Sequence, residues 1–519
     1  QGIYLAGINE RGKDMELKIG NQILELKRTW KLAILAVWIG GLFAHAYRFF
    51  NLMPTWDSMY NYKGTGATVT SGRWFLGVMG KLSTEYDLTW VNGVWSLVFI
   101  SIAVILLIEL YELKSDIGII LTSLLVVTFP TVTSTFAFMF TADCYMFSFA
   151  AAGAGIFLSF RYKYGFLAGM VCVCLSMGTY QAYLSVAMMT FLLLVIKQLL
   201  LEEKSWIEVI QKDLTSGIAI VGGAVLNSVM SSLCNRLMQT ELSDYQGINN
   251  MGLLSGRGYL EALLKTWEGL LHILGLDLGH FNEPYSAANL VIFGLLFLTT
   301  LLIVIKKKVY KRVPELILAG LACVALPICC FVINFVSAAT FYHTLMEMGV
   351  CFLYLILILY FENEMWQQKM LNAVKWIGLI SLLFIAYLNA MNANKTYFNM
   401  QLSYEKSYAV CDGILDRIDA IDAAAETRKV AVMGRYAVGD EYLGVMLPEI
   451  YGASNDVFLK GTYHYVTLWR NNFGRYFSEA TGEEIAKVQS SEMYQQMPVY
   501  PRKGCVAVIE DVIVVKMSE

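Results

Sequence analysis

The chain has 519 residues, 57% of them hydrophobic and only 16% charged, with a mean hydropathy of +0.53. Soluble domains carry about a quarter charged residues, so this composition excludes an ordinary soluble globular protein. The net charge of −3, with Lys and Arg scattered between apolar runs, argues against nucleic acid as a partner.

Met15 opens the stretch MELKIGNQILELKRTW, and residues 1–14 before it are expected to be vector-derived or a misassigned start. The run 30–50 is too long, and too charged at its end, for a cleaved signal peptide, and reads as a retained first span. Apolar runs then recur at 90–110, 116–134, 143–160, 164–180, 182–200, 213–234, 288–305, 314–336, 343–361 and 373–391. A crossing takes roughly 20 apolar residues, and backbone groups in hydrocarbon must bond internally, so these runs predict about eleven transmembrane helices. Cys172, Cys174, Cys323, Cys329 and Cys330 lie inside such runs. With no paired C-x-x-C motifs, the cysteines read as small buried hydrophobes and exclude a zinc framework.

Basic residues fix an expected orientation. Lys13, Lys18, Lys27, Arg28 and Lys31 precede the first span; Arg161 and Lys163, Lys197 and Lys204, the cluster KKKVYKR at 306–312, and Lys369 and Lys375 follow. Counting spans puts all five groups on one face, which the positive-inside rule assigns to the cytoplasm. The expected organisation is a cytoplasmic segment 1–29, a transmembrane domain 30–391 with external loops 51–89 and 235–287, and an external domain 392–519. In the middle loop, GYLEALLKTWEGLLHILG has apolar residues at helical spacing with Glu261, Lys265 and Glu268 opposite, and reads as an interfacial amphipathic helix. Beyond 392, ILDRIDAIDAAAETRK reads as helix, RKVAVMG as strand and CVAVIEDVIVVKM as a hairpin turning at Glu510-Asp511, a small α/β domain. VAVMG is similar to a nucleotide-binding turn, but no G-x-G-x-x-G follows and no catalysis is assigned there.

The residues that carry chemistry collect on the external face. Asp57 follows the first span, with Tyr60, Tyr62, Lys63 and Arg73 after it. An acid at this depth is costly unless paired or functional. It suits a general base for an acceptor hydroxyl, and equally an acid held by a helix N-terminus. Arg73, between Gly72 and Trp74, offers a bidentate donor for phosphate or a snorkelling interfacial cation. Asp143 is the most anomalous charge, inside an uncharged run of FAFMFTADCYMFSF, and is a functional candidate that also suits a helix N-cap, as does Thr141. Tyr180 and Gln181 in the short turn MGTYQAYLS can orient a sugar or diphosphate, whereas Tyr183 reads as an aromatic-belt residue. Arg257, opening the amphipathic stretch, is a further substrate-binding candidate. Asp277, His280 and Glu283 have spacing that would admit a metal, but with five histidines in the chain these, like His343 and His464, read as solvated loop residues. Hydrolase, zincin and ATPase motifs are missing.

The external acid, the Gly72-Arg73 pair, Asp143 and the Tyr180-Gln181 turn, in that order over residues 30–400, resemble the type II Gtr, serotype-converting, polytopic glucosyltransferase family. That family resembles the GT-C superfamily of membrane glycosyltransferases. Where members often pair two acids after the first span, this chain has Trp56-Asp57-Ser58. The resemblance implies an all-α polytopic fold in a bacterial inner membrane and inverting transfer of a sugar, glucose by family default. The donor would be a polyprenyl-phosphate sugar and the acceptor a surface glycan. It implies Asp57 as base, Arg73 and Lys63 on the donor phosphate, and Tyr60, Tyr180, Gln181 and Arg257 on substrate. Asp143 would orient the acceptor or hold a divalent ion, the one cofactor left open. Other classes stay in play. A lipid-linked sugar flippase would ask for charges deep in several spans and internal repeats, which the sequence lacks. A polysaccharide polymerase or ligase is chemically close, and a membrane acyltransferase would ask for an internal His or Ser nucleophile system.

Overall fold

A computed structural model describes residues 4–5, 16–19, 22–244, 247, 249, 258–277, 283–337, 341–421, 425–437, 447–453 and 456–518. Arg257 and His280, named above as candidates, lie outside these residues.

Three short strands, β1 (Tyr4–Leu5), β2 (Glu16–Ile19) and β3 (Gln22–Glu25), pair antiparallel ahead of the helices. There follow α1 (Arg28–Phe50), a short α2 (Leu76–Leu82), α3 (Thr89–Tyr111), α4 (Asp116–Thr128), α5 (Pro130–Ala137), α6 (Met139–Arg161), α7 (Gly165–Thr179) and α8 (Leu184–Ile196). Then come α9 (Trp206–Met238), α10 (Tyr259–Ile273), α11 (Pro284–Lys306), α12 (Val313–Cys330), α13 (Ile333–Val336), α14 (Cys351–Phe361) and α15 (Lys369–Ile421). Among the described residues nine helical segments are long and apolar enough to cross a membrane, with Gly165–Thr179 and Met348–Phe361 as shorter apolar helices. These segments coincide with the runs read from the sequence, and the protein is a mostly helical, multi-pass membrane protein.

Lipid-facing surface explains why so much apolar side chain stays uncovered. On α9, Leu214, Ile218, Val221, Val225 and Val229 are exposed at helical spacing, while Asp213, Ser216, Gly223 and Asn227 point inward. That is the inverse of a soluble helix, as a hydrocarbon solvent requires.

Three runs depart from simple rods. The 116–134 span is split at Phe129, whose extended backbone (ψ 141°) precedes Pro130 at the first position of α5. Proline disfavours helix in the residue before it, and its missing N–H is harmless at a helix start. The 343–361 span begins as two single-turn 3-10 segments, Thr344–Met346 and Met348–Val350, and becomes α-helix only at Cys351. The 314–336 span ends early: α12 carries Pro327 inside its last turn and stops at Cys330.

One face of the bundle is held by ion pairs. Lys27 meets Glu109 at 2.7 Å, Arg28 meets Asp116, Lys197 meets Glu202 at 2.6 Å and Lys307 meets Glu203 at 3.0 Å. Glu362, before α15, accepts from the backbone of Lys114 and Ser115 on the same face. Lys27, Arg28, Lys197 and Lys307, from three of the basic groups in the sequence, meet on this face.

At the opposite end, α15 runs unbroken through residue 392. At about 1.5 Å per residue its 53 residues span about 80 Å, far more than a bilayer core of about 30 Å. Cys411, Ile414, Leu415 and Ile418 on its distal part pack into the core of a small α/β unit. That unit has a sheet of β4 (Lys429–Met433), β5 (Ser478–Glu479), β6 (Val506–Ile509) and β7 (Val512–Lys516) in the order β5-β4-β7-β6. Strand β4 is parallel to both neighbours, while β6 and β7 form the hairpin, with Glu510 and Asp511 at φ 50° and 66°. Two successive left-handed residues match the twist of a tight two-residue hairpin turn.

Candidate active site

The opposite end carries a cavity of about 440 Å³. The loop between α1 and α2 supplies Asp57, Asn61, Thr65, Thr70, Ser71 and Arg73; the start of α6 supplies Phe140, Thr141 and Tyr145; the α7–α8 turn supplies Tyr180. Ser243, His343, Leu345, Met346 and Tyr451 close the remaining sides.

Two short sequences build one corner by docking on each other. Gly72 ends a 3-10 turn in the left-handed region (φ 66°), and a Cβ there would lie 2.9 Å from Gln181 Nε2. That amide donates to the Ser71 carbonyl at 2.9 Å. Trp74 packs its indole on Gly178, donating to Asn227 Oδ1 at 2.9 Å, and the Phe75 N–H donates to the Gly178 carbonyl at 2.8 Å. Between these anchors Arg73 donates from Nη1 to Tyr145 Oη (3.1 Å) and lies 4.9 Å over the Tyr180 ring. Tyr180 is itself stacked on Tyr145 at 4.3 Å and 7°. The guanidinium is therefore fixed in place at the cavity wall, as an anion site requires.

Asp57 is the cap residue of the 3-10 turn Ser58–Tyr60, and its side chain makes no cap hydrogen bond there. Among the described residues its carboxylate has no hydrogen bond. It opens on the cavity while protein surrounds it on its other sides. That burial raises its pKa above the ordinary carboxylate value, opposed by the charges of Lys460 and Arg73. Lys460 comes from the α/β unit, its Nζ 3.8 Å over the Trp56 ring.

Asp143 sits inside α6, which begins four residues earlier at Met139 with Phe138 in the cap position and no side-chain cap, so neither Thr141 nor Asp143 is the N-cap. Its carboxylate is buried behind the cavity. Asn92 approaches Oδ1 at 3.5 Å while also donating to the Met139 carbonyl (3.0 Å), and Oδ2 is enclosed without a hydrogen-bond partner. A single carboxylate beside an amide is a poor donor set for a hard divalent cation, which takes six or more oxygens. Among the described residues no group of three or more His, Cys, Asp or Glu is placed to hold an ion. Asp277 instead lies 3.4 Å from His272 Nδ1.

Lys63 and Tyr60 stand away from the cavity. Lys63 bridges Tyr86 in a short antiparallel contact with Nζ 5.7 Å over that ring. Tyr60 lies against Tyr463 and His464 of the α/β unit, at 5.5 and 6.0 Å. Gln181 buttresses the loop and does not line the cavity.

A second, larger cavity of about 640 Å³ adjoins the first, sharing His343 and Tyr451. It runs beneath α10, past Gly269 and His272, to Glu347 and Thr344. Helix α10 buries Ala262 and Thr266 and presents Leu260, Leu264 and Trp267 outward, the amphipathic arrangement expected. The sequence reads His343 as a solvated loop residue; in the structure it is a wall of both cavities.

Against known families, the Glucosyl transferase GtrII profile matches residues 46–360, more than half of the chain. The protein belongs to this family. It is thus a membrane glycosyltransferase, and the matched stretch carries Asp57, Arg73, Asp143, Tyr180 and His343. Tyr451 and Lys460 lie beyond it. Comparisons with curated proteins and with solved structures give no match. Sequence reasoning missed Tyr145, Ser243, Tyr451 and Lys460. Tyr145 lies two residues from Asp143 and was within reach of the argument; the others have no local signal.

Proposed function

We propose that this GtrII-family protein moves a hexose, glucose first among candidates, from a polyprenyl-phosphate donor to a surface glycan with inversion. The carrying observation is an acid without a hydrogen-bond partner and a clamped guanidinium on one cavity, beside a second cavity under an amphipathic helix. The acceptor hydroxyl gives its proton to Asp57 as its oxygen attacks the anomeric carbon in line. The C–O bond to phosphate breaks with its electron pair going to the phosphate oxygen, where Arg73 meets the added charge. The leaving group departs as an anion, so strong acid catalysis is not needed. The polar first cavity takes the sugar and acceptor, and the second takes the first isoprenoid units. Asp143, buried behind the cavity, is left to steadying the start of α6, the helix that carries Tyr145. Lys63 and Tyr60 are left to acceptor or lipid contacts at the rim, and Arg257 to substrate binding. The α/β unit beyond residue 392 closes the site through Tyr451 and Lys460. Gathering of basic groups on the other face supports a bacterial inner-membrane protein with this cavity outside.

The test is reconstitution into vesicles with defined polyprenyl-phosphate hexoses and cell-surface polysaccharide, scored as polyprenyl phosphate released. Asp57→Asn is expected to lower turnover by about 10²–10⁴-fold, the usual weight of a general base. Full activity of that variant would remove Asp57 from the role. Failure of the native protein to use any such donor would overturn the proposal itself.

A further inference from the structure

His343 and Tyr451 form the partition between the two cavities, their rings stacked at 3.7 Å and 12°. The partition is anchored from both sides. Tyr342 Oη lies 3.0 Å from the carbonyl oxygens of both Cys330 and Met346, which share its one proton, and Thr344 Oγ1 donates to the Glu449 carbonyl. On the other side Ser134 Oγ donates to the Tyr451 carbonyl at 2.7 Å. His343 Nδ1 is enclosed and has no hydrogen-bond partner among the described residues. An orphaned N–H is the costlier orphan, so the ring's donor is Nε2, on the opposite edge. Arg73 lines the same cavity as this ring.

The reaction proposed above places its scissile bond at this partition, with sugar on one side and isoprenoid on the other. The phosphodiester of the donor carries one negative charge, and the phosphomonoester that leaves carries two near neutral pH. A fixed donor at the bridging oxygen therefore binds the product, and the transition state leading to it, more tightly than the substrate. We propose that His343 is a catalytic residue that donates a hydrogen bond from Nε2 to the leaving phosphate, opposite Arg73; this rests on the polyprenyl-phosphate reading. The imidazole keeps its proton throughout, the proton from the acceptor having gone to Asp57.

Product binding tests this without knowledge of the acceptor. Farnesyl phosphate and farnesol are titrated into the full-length protein in nanodiscs at pH 8, where the phosphate is a dianion. His343→Gln and His343→Met are compared, two side chains of similar length of which only the first has an N–H. The Met variant is expected to bind farnesyl phosphate about tenfold more weakly than the Gln variant, the scale of a hydrogen bond to a charged group. Farnesol affinity should match in the two, which also serves as the folding control. The pair His343→Asn and His343→Leu replaces them if either is unstable. Equal farnesyl phosphate affinity within the pair overturns the role of His343. If the native protein binds farnesyl phosphate no better than farnesol, the donor assignment fails and takes this inference with it.

Discussion

The two faces of the helical bundle use charge in opposite ways. On the basic face, Lys27, Arg28, Lys197 and Lys307 each have a carboxylate within reach. On the other, Asp57 is exposed on the cavity without a side-chain hydrogen bond among the described residues, and Asp87 is buried with both oxygens lacking one. Burial raises the Asp87 carboxyl, with the Arg48 charge opposing it. Closely paired surface charges on one face, and on the other an acid and a guanidinium at a cavity wall, separate scaffold from site.

Variants that act on the charges at the cavity should therefore have the largest effects. Arg73→Met is expected to lower kcat/KM by about 10²–10³-fold, the cost of removing one donor from a developing anion. Arg73→Lys should recover little, because an ammonium cannot both bond Tyr145 and spread over Tyr180. Turnover of polyprenyl-phosphate glucose, with thermal melting as control, measures both. Recovery by Lys would mean that charge alone, without the clamp, is what the site needs. The next effect is indirect. Gly72→Ala meets a left-handed backbone and the Gln181 amide, so it should destabilise by about 1–3 kcal/mol. It should also lower turnover about tenfold by shifting Arg73, on the scale of a small misplacement at a reacting centre. Adding Gln181→Ala relieves the contact but not the backbone strain, so rescue should be partial in melting experiments.

These two variants also mark how far the sequence could be read. Spans were legible because hydrocarbon leaves a helix no other way to satisfy its backbone. Their common basic face was legible because short loops alternate sides, and the ion pairs between distant segments follow from it. Asp57, Arg73 and Tyr180 were legible as a group, since each is an odd residue for its setting. The coupling of Gly72 to Gln181 was not, because it depends on the docking of Gln181 on Ser71, 110 residues away. His343 and Tyr451 illustrate the harder case. A histidine in a polar loop looks the same in sequence whether solvated or enclosed, and only the docking of the 447–453 segment on α5 encloses this one. Lys460 lies in an ordinary polar stretch, and its place beside Asp57 depends on how the α/β unit sits at the end of α15.

Lys460 sharpens the comparison through pH. Asp57 must be ionised to act as base, and its folded pKa is raised, so turnover should rise with pH along a limb lying above the ordinary Asp range of about 4. Lys460 opposes the rise. Lys460→Met should therefore move the limb to higher pH while the plateau at alkaline pH is retained. A limb that does not move would show that solvent screens Lys460 from Asp57.

The smallest effect belongs to the basic face. Arg28→Ala removes the partner of Asp116 at a site where both side chains remain largely solvated, 70% and 46% exposed. Exposed pairs contribute at most about 1 kcal/mol, less in salt, because water already solvates both groups well. Melting of Arg28→Ala should fall by no more than this, and turnover should equal that of the native protein. A large loss of turnover would mean that the basic face is coupled to the cavity along α1, which carries Arg28 at one end and buried Arg48 at the other. The division of labour between the faces would then be one of position only, with the membrane helix itself transmitting between them.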